Sequence, residues 1–364
     1  MEIKIKQQTL IKALELVSRI STKHVTLPIL QCVLIEVKNN KAIIKATNLE
    51  IGIEVTLDAS VNEEGIIAVP ASTLLQSTQY LPESQLVLKN EGEVLVIESP
   101  GTETSINSIP YDEFPTISRL EGEGGIVNRS LFSLGIKTTA FAASQSSIKP
   151  ELGSIYIFQK KEHSLTFVAT DSFRLMEKTV PQKGLIFDQD ILIPQKNAIE
   201  IARICDLLES DPKFIVNENQ ASLLFEEGVY VTTRLVNGTF PDYNQIMPKE
   251  FSTNSIVLRS DLSQAFKKTN VFLNKFMQAT LTVTNDTFTV SSSNNEVGHT
   301  TDSINTKTEG EDITLNFNQR YLLDPLQHIS DDSILMKFAG IGRPLVIEGV
   351  SDKTFRYLVM PMNK

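Results

Sequence analysis

The sequence predicts an α+β chain of three repeated domains, each made of two helix-plus-β-sheet halves. Strand pairs recur at "VLIEVKNNKAIIKATNLEIGIEV" from Val33, "SIYIFQKKEHSLTFVATDSFRLMEK" from Ser154 and "ATLTVTNDTFTVSSSNNEVGHTT" from Ala279. The small-residue triplets that end their second strands begin at Ala46, Ala169 and Ser292, a constant spacing of 123 residues. A helical pattern precedes each pair, and a second helix follows it. The 364 residues exceed one ordinary core, and two or three domains are the expectation.

The strands come from alternation. Leu281/Val283 and Phe288/Val290 place apolar side chains on one face of a half-buried hairpin. The first helix of each repeat reads "QTLIKALELVSRI", "SLFSLGIKTTAFAA" from Ser130 and "SDLSQAFKKTNVFL" from Ser260, the last with Ser260 as its N-cap signal. In the first, Leu10, Leu14 and Val17 form an apolar stripe while Lys12, Glu15 and Arg19 take the other face. The second helices are "PASTLLQSTQY" from Pro70, "PQKNAIEIARICDLL" from Pro194 and "NQRYLLDPLQHI" from Asn318. Phe114-Pro115 and Phe240-Pro241 close the first two repeats, and "TFRYLVMPMNK" from Thr354 closes the third. Linkers at "RLEGEGGIVN" and "PKEFSTNS" give domains over 1–123, 124–250 and 251–364.

Hydrophobic content of 41% and charged content of 21% describe a folded chain, with no apolar run long enough to span a membrane. The start "MEIKIKQQTL" has no secretory pattern, so Cys32 and Cys205 are expected as reduced, buried residues of a cytoplasmic protein. The net charge of −10 argues against broad phosphate binding, though not against a local basic surface. The four histidines share no metal-ligand spacing, and neither cysteine has a CxxC partner. "AGIGRP" from Ala339 leads into a strand, so its Gly-x-Gly cradles no phosphate. No active site, metal or cofactor is expected.

"TLPIL" (26–30), "ATNLE" (46–50), "VATDSFRL" (168–175), "LVNGTFPDY" (235–243), "FNQRYLLDPL" (317–326) and "YLVMPM" (357–362) come in this order on a three-fold repeat. In that arrangement the chain resembles the bacterial DNA polymerase III beta subunit, the β sliding clamp. The resemblance implies a head-to-tail homodimeric ring around double-stranded DNA, bound without regard to sequence. Twelve helices lining it at ~10 Å each give a hole ~38 Å across, wide enough for a hydrated duplex. The replicative polymerase, clamp loader and repair polymerases would dock short hydrophobic peptides in a groove. No membrane partner and no catalysis are implied.

Sliding needs phosphate attraction without base readout. The DNA-facing candidates are Lys12, Arg19, Lys137, Lys196, Arg203, Lys267 and Lys268 on helices, with Lys23, His24 and Lys149 on loops. Lys196, Glu200 and Arg203 share a helix face, which also describes an ordinary solvated face held by ion pairs. His24 stands where many family members carry arginine. By resemblance, the groove wall would be Leu152, Thr170, Arg174, Leu175, Pro241, Ile246, Asn318, Tyr321 and Pro344, closed by Leu358, Val359, Met360, Pro361 and Met362. Methionine suits a groove that takes several peptides, and the same segment also reads as a plain core strand. Ser172-Phe173, Gln245 and Asn363 depart from the family's common Gly-His, arginine and basic residue. For ring closure the candidates are Val271 and Phe272, which equally suit intradomain core. Two other classes fit the residues: a monomeric peptide-binding adaptor, and an enzyme with a scattered site.

Overall fold

The computed structural model describes residues 1–21, 26–146, 148–161, 163–184, 189–285 and 287–362. All six expected helices are present among them: α1 Gln7–Val17, α2 Ala71–Gln79, α3 Arg129–Ala140, α4 Gln195–Leu207, α5 Arg259–Thr269 and α6 Gln319–Leu323, which continues as a 3-10 turn over Asp324–His328. The expected stripe of α1 is buried, Leu10, Leu14 and Val17 together with Ala13. Ser260 does not cap α5. The helix begins at Arg259 after Leu258, two residues earlier than a Ser260 cap would place it, and the Ser260 hydroxyl donates to Asp261 instead. Asn318 does cap α6, its side chain accepting from the Arg320 N–H.

The backbone groups into two compact units. Unit 1 is chiefly Met1–Ser130 with Glu200–Leu235, and unit 2 is chiefly Leu131–Lys183 with Gln189–Ile199 and the chain from Val236. This grouping differs from the sequence repeat because sheets join halves of successive repeats. In unit 1, strand Ile51–Leu57 ends the first hairpin set and pairs antiparallel with Val229–Arg234. That join completes an eight-stranded sheet, beside a five-stranded sheet that holds Glu2–Lys6 between Ala59–Glu63 and Gln85–Glu91. In unit 2, Arg174–Pro181 pairs in the same way with Phe355–Val359 and completes a nine-stranded sheet, beside a four-stranded one.

Helices lie on the sheets because each buries one apolar face. In unit 2, α5 contributes Leu262, Ala265 and Phe266 to a core that holds Phe288, Phe317, Phe338, Phe355 and Tyr357. Helix α3 approaches its sheet tightly at Gly135. A Cβ there would stand 2.4 Å from the Phe167 ring, whose edge also meets Phe132 at a centroid distance of 5.5 Å. No side chain larger than hydrogen fits between helix and strand at that point. Burial pushes the Cys32 thiol up to about 11 and the Cys205 thiol up to about 12, so both stay protonated and inert. No helix among the described residues is long and apolar enough to cross a membrane.

Candidate functional site

The proposed groove lies wholly in unit 2 and starts from a turn. Between strands Ser164–Thr170 and Arg174–Pro181, the Asp171 carboxylate accepts from the N–H groups of Phe173 and Arg174, both at 3.0 Å. Thr170 Oγ1 donates to the Arg174 carbonyl at 2.7 Å and accepts from the Ser172 N–H at 3.2 Å. These bonds hold Ser172 at φ +78°, in the left-handed region. The turn thereby presents Phe173, whose side chain is 61% exposed.

Arg174 fastens this turn to α6. Its Nε donates to Asp171 at 3.0 Å, Nη1 to Asp324 at 2.6 Å and Nη2 to the Phe141 carbonyl at 2.7 Å. The guanidinium also lies over the Tyr321 ring, 4.4 Å from its centroid. With only 8% of the side chain exposed, these contacts replace the water it has lost. The Tyr357 hydroxyl donates to the Tyr321 carbonyl at 2.7 Å and ties the last strand to the same helix.

The segment 357–362 is both core strand and surface. Alternate residues of a strand face opposite ways. Tyr357 and Val359 enter the core containing Phe266 and Phe317, whereas Leu358 enters a second cluster with Leu175, Val346, Phe240, Tyr243 and Met247. Met360 packs half-buried against that second cluster. Beyond the strand, the Met360 N–H donates to the Phe173 carbonyl at 2.8 Å and the Met362 N–H to the Asn316 carbonyl at 2.7 Å.

Strand pairing brings Thr170, Arg174, Leu175, Leu358 and Val359 together. Pro344 precedes the strand Leu345–Gly349, in which Leu345 pairs with Val359. Leu175, Leu358 and Val359 are fully buried, and Leu152 is also buried. Met360, Pro361, Met362, Tyr321, Asn318 and Pro344 are half-buried, and Pro241 and Ile246 are exposed. Sequence reasoning missed Asp171, Asp324 and Phe141, the partners of Arg174. Asp171 had a local signal, an acidic residue three before an arginine in a turn; the other two are distant in sequence.

Among the basic candidates, Lys12 on α1 is exposed, and so is Arg19, which lies in the turn after the helix rather than on it; Lys137, Lys149, Lys196, Lys267 and Lys268 are exposed as well. Arg203 is not a free cation. It is paired with Glu200 and donates to the Leu16 carbonyl at 3.0 Å, which removes most of its field. Lys268 pairs with Asp302 at 2.9 Å. Lys23, His24 and Asn363 lie outside the described residues. Val271 is 65% exposed in the turn after α5, and Phe272 is half-buried. Among the described residues, no three His, Cys, Asp or Glu gather as a metal site.

Three family models match in succession: the N-terminal, central and C-terminal domains of the DNA polymerase III beta subunit, over residues 1–118, 126–242 and 244–363. The chain belongs to the DNA polymerase III beta subunit family. This family is a non-catalytic processivity factor. A beta sliding clamp of Vibrio cholerae is 28% identical over the whole of both chains. The crystal structure of the DNA polymerase III beta subunit of Thermotoga maritima is 27% identical with a TM-score of 0.93, covering 100% of this chain and 99% of that one. A Pseudomonas aeruginosa sliding clamp bound to griselimycin shares the fold at 24% identity and TM-score 0.91, with both chains fully covered.

Proposed function

We propose that two copies of this chain close head to tail around duplex DNA and tether replication and repair proteins to it. The observation that carries this reading is the run of three clamp-family domains along nearly the whole chain. On it rests a division into domains at 1–123, 124–250 and 251–364. The ring holds by topology. Exposed Lys12, Arg19, Lys137, Lys149, Lys196 and Lys267 attract phosphate and read no base edge, so the protein slides.

The groove of unit 2 is the tether. Its floor is apolar and rigid, its turn is fastened by Arg174, and its rim offers Phe173, Ile246, Met360 and Met362. That chemistry suits a short hydrophobic peptide of a polymerase, clamp loader or repair polymerase. Exposed Val271 with Phe272 is the proposed seam between protomers. Sedimentation tests the assembly: a single species of about 81 kDa, twice the 40.5 kDa chain, is expected, and Val271→Asp should yield the single chain. A wild-type protein that sediments as one chain at micromolar concentration would refute the ring.

A further inference from the structure

Arg174 fastens the Phe173 lip of the proposed groove to α6. The segment 241–246, which carries the groove candidates Pro241 and Ile246, has no strand or α-helix of its own, only the 3-10 turn Tyr243–Gln245. Asp242 closes that turn locally, accepting from the Asn244 N–H at 3.2 Å and from the Gln245 side-chain amide at 2.9 Å. Those bonds shape the turn without holding it to the sheet.

Tyr243 is the single buried residue of these six, between exposed neighbours on both sides. Its ring packs in the cluster of Leu175, Val346 and Leu358 and meets Phe240 edge-on at 6.4 Å. Its hydroxyl goes further and donates to Glu177 Oε2 at 2.5 Å. Glu177 is buried too, two residues along the strand from Leu175 and so on the same face of the sheet. Its other oxygen accepts from Arg356 at 3.3 Å. Burial and this carboxylate hold the Tyr243 phenol far above its ordinary pKa, so the hydroxyl stays a donor.

A buried glutamate stands at the same place 123 residues earlier, in unit 1. Glu54 accepts from Arg119 Nε at 2.7 Å, and Arg119 belongs to the segment after Phe114-Pro115 as Tyr243 belongs to that after Phe240-Pro241. Ile117, three residues past Phe114 as Tyr243 is past Phe240, is apolar and packs on Gly52 instead. A carboxylate buried in a sheet face is costly unless it is matched. In both units the connecting segment matches it, but only in unit 2 does the bond come from between two groove candidates.

We infer that Tyr243 is a positioning residue of the peptide groove: its bond to Glu177 sets where Pro241 and Ile246 stand against an incoming peptide. This rests on the groove reading given under Proposed function. A gap of about 0.5–1 Å forfeits a quarter to a half of a dispersion contact, so a small displacement of the lip is felt in binding.

A double-mutant cycle on the full-length protein tests this. The probe is the fluorescein-labelled C-terminal tail peptide of the replicative polymerase from the same organism, read by anisotropy. Tyr243→Phe keeps the ring and removes the hydroxyl, and it should weaken the peptide about tenfold. Ile246→Ala should weaken it about fivefold in the wild type but less than about twofold beside Tyr243→Phe, because the lip has already moved. Glu177→Gln, whose amide oxygen still accepts from Tyr243, should stay within about twofold of wild type, whereas Glu177→Leu should match Tyr243→Phe. Amide exchange of residues 242–246 should rise at least about tenfold in Tyr243→Phe. Additive losses in the cycle, unchanged exchange, or Tyr243→Phe binding as wild type does would overturn the inference and leave the groove standing. A wild type that binds no peptide would remove the groove itself and the positioning role with it.

Discussion

The backbone N–H of Met360 donates to the carbonyl oxygen of Phe173 at 2.8 Å, so the last apolar segment is bonded to the turn that presents Phe173, the other lip of the proposed groove. Met362 is fixed in turn by the Asn316 carbonyl at 2.7 Å. An apolar stretch past the end of a strand is thus held at two points while its side chains stay half-buried. A surface of that kind is ordered before a partner arrives, and little entropy is lost on docking.

Deleting residues 360–364 removes both bonds and two methionines but leaves Tyr357, Leu358 and Val359 in their cores. Apolar burial contributes ~25 cal/mol per Å². Affinity for a polymerase-tail peptide should fall by at least about tenfold in fluorescence anisotropy, with the dimer intact by sedimentation. A truncated dimer that binds as before would place docking elsewhere.

Arg174→Met keeps the apolar stem of the side chain and leaves Asp171 and Asp324 without their shared cation. Breaking a largely buried pair in this way costs about 3 kcal/mol or more. Urea unfolding should show that loss, and peptide binding should weaken because the Phe173 turn is no longer tied to α6.

His328 stacks on Phe141 at 5.0 Å, and burial holds its pKa below the usual 6.5, with Asp324 partly opposing. Below that pH the unfolded chain takes up a proton that the folded chain resists. The stabilisation is therefore full above pH 6.5 and is lost as pH falls through the lower folded value. The urea midpoint should drop between pH 7.5 and 5.5, and His328→Phe should flatten that slope. An unchanged slope in the variant would assign the effect to other groups.

The two basic residues of α4 should behave differently. Lys196 is exposed, and Lys196→Ala should lower the salt slope of DNA binding by about 0.9. Arg203 is already matched by Glu200, so Arg203→Ala should change the slope far less. Equal effects from the two would mean that DNA breaks the Arg203–Glu200 pair.

The helices and hairpins were legible because their signals are local. Leu10, Leu14 and Val17 keep helical period, and the alternation of Leu281 and Val283 needs only adjacent residues. The joining of Ile51–Leu57 to Val229–Arg234 was not legible, since no periodicity records a partner so far along the chain. The Arg174 site divides in the same way. Its bond to Asp171 follows from spacing, whereas Asp324 is 150 residues distant. Ser260 misled because a hydroxyl near a helix start signals a cap without fixing which residue begins the helix.

Encirclement is tested most directly by retention on DNA of two topologies. Protein loaded onto a nicked circle should persist through gel filtration at moderate salt, then leave once a single cut linearises the DNA. Equal retention on circle and linear DNA would mean that the protein grips the duplex rather than surrounds it, and the ring account would be wrong.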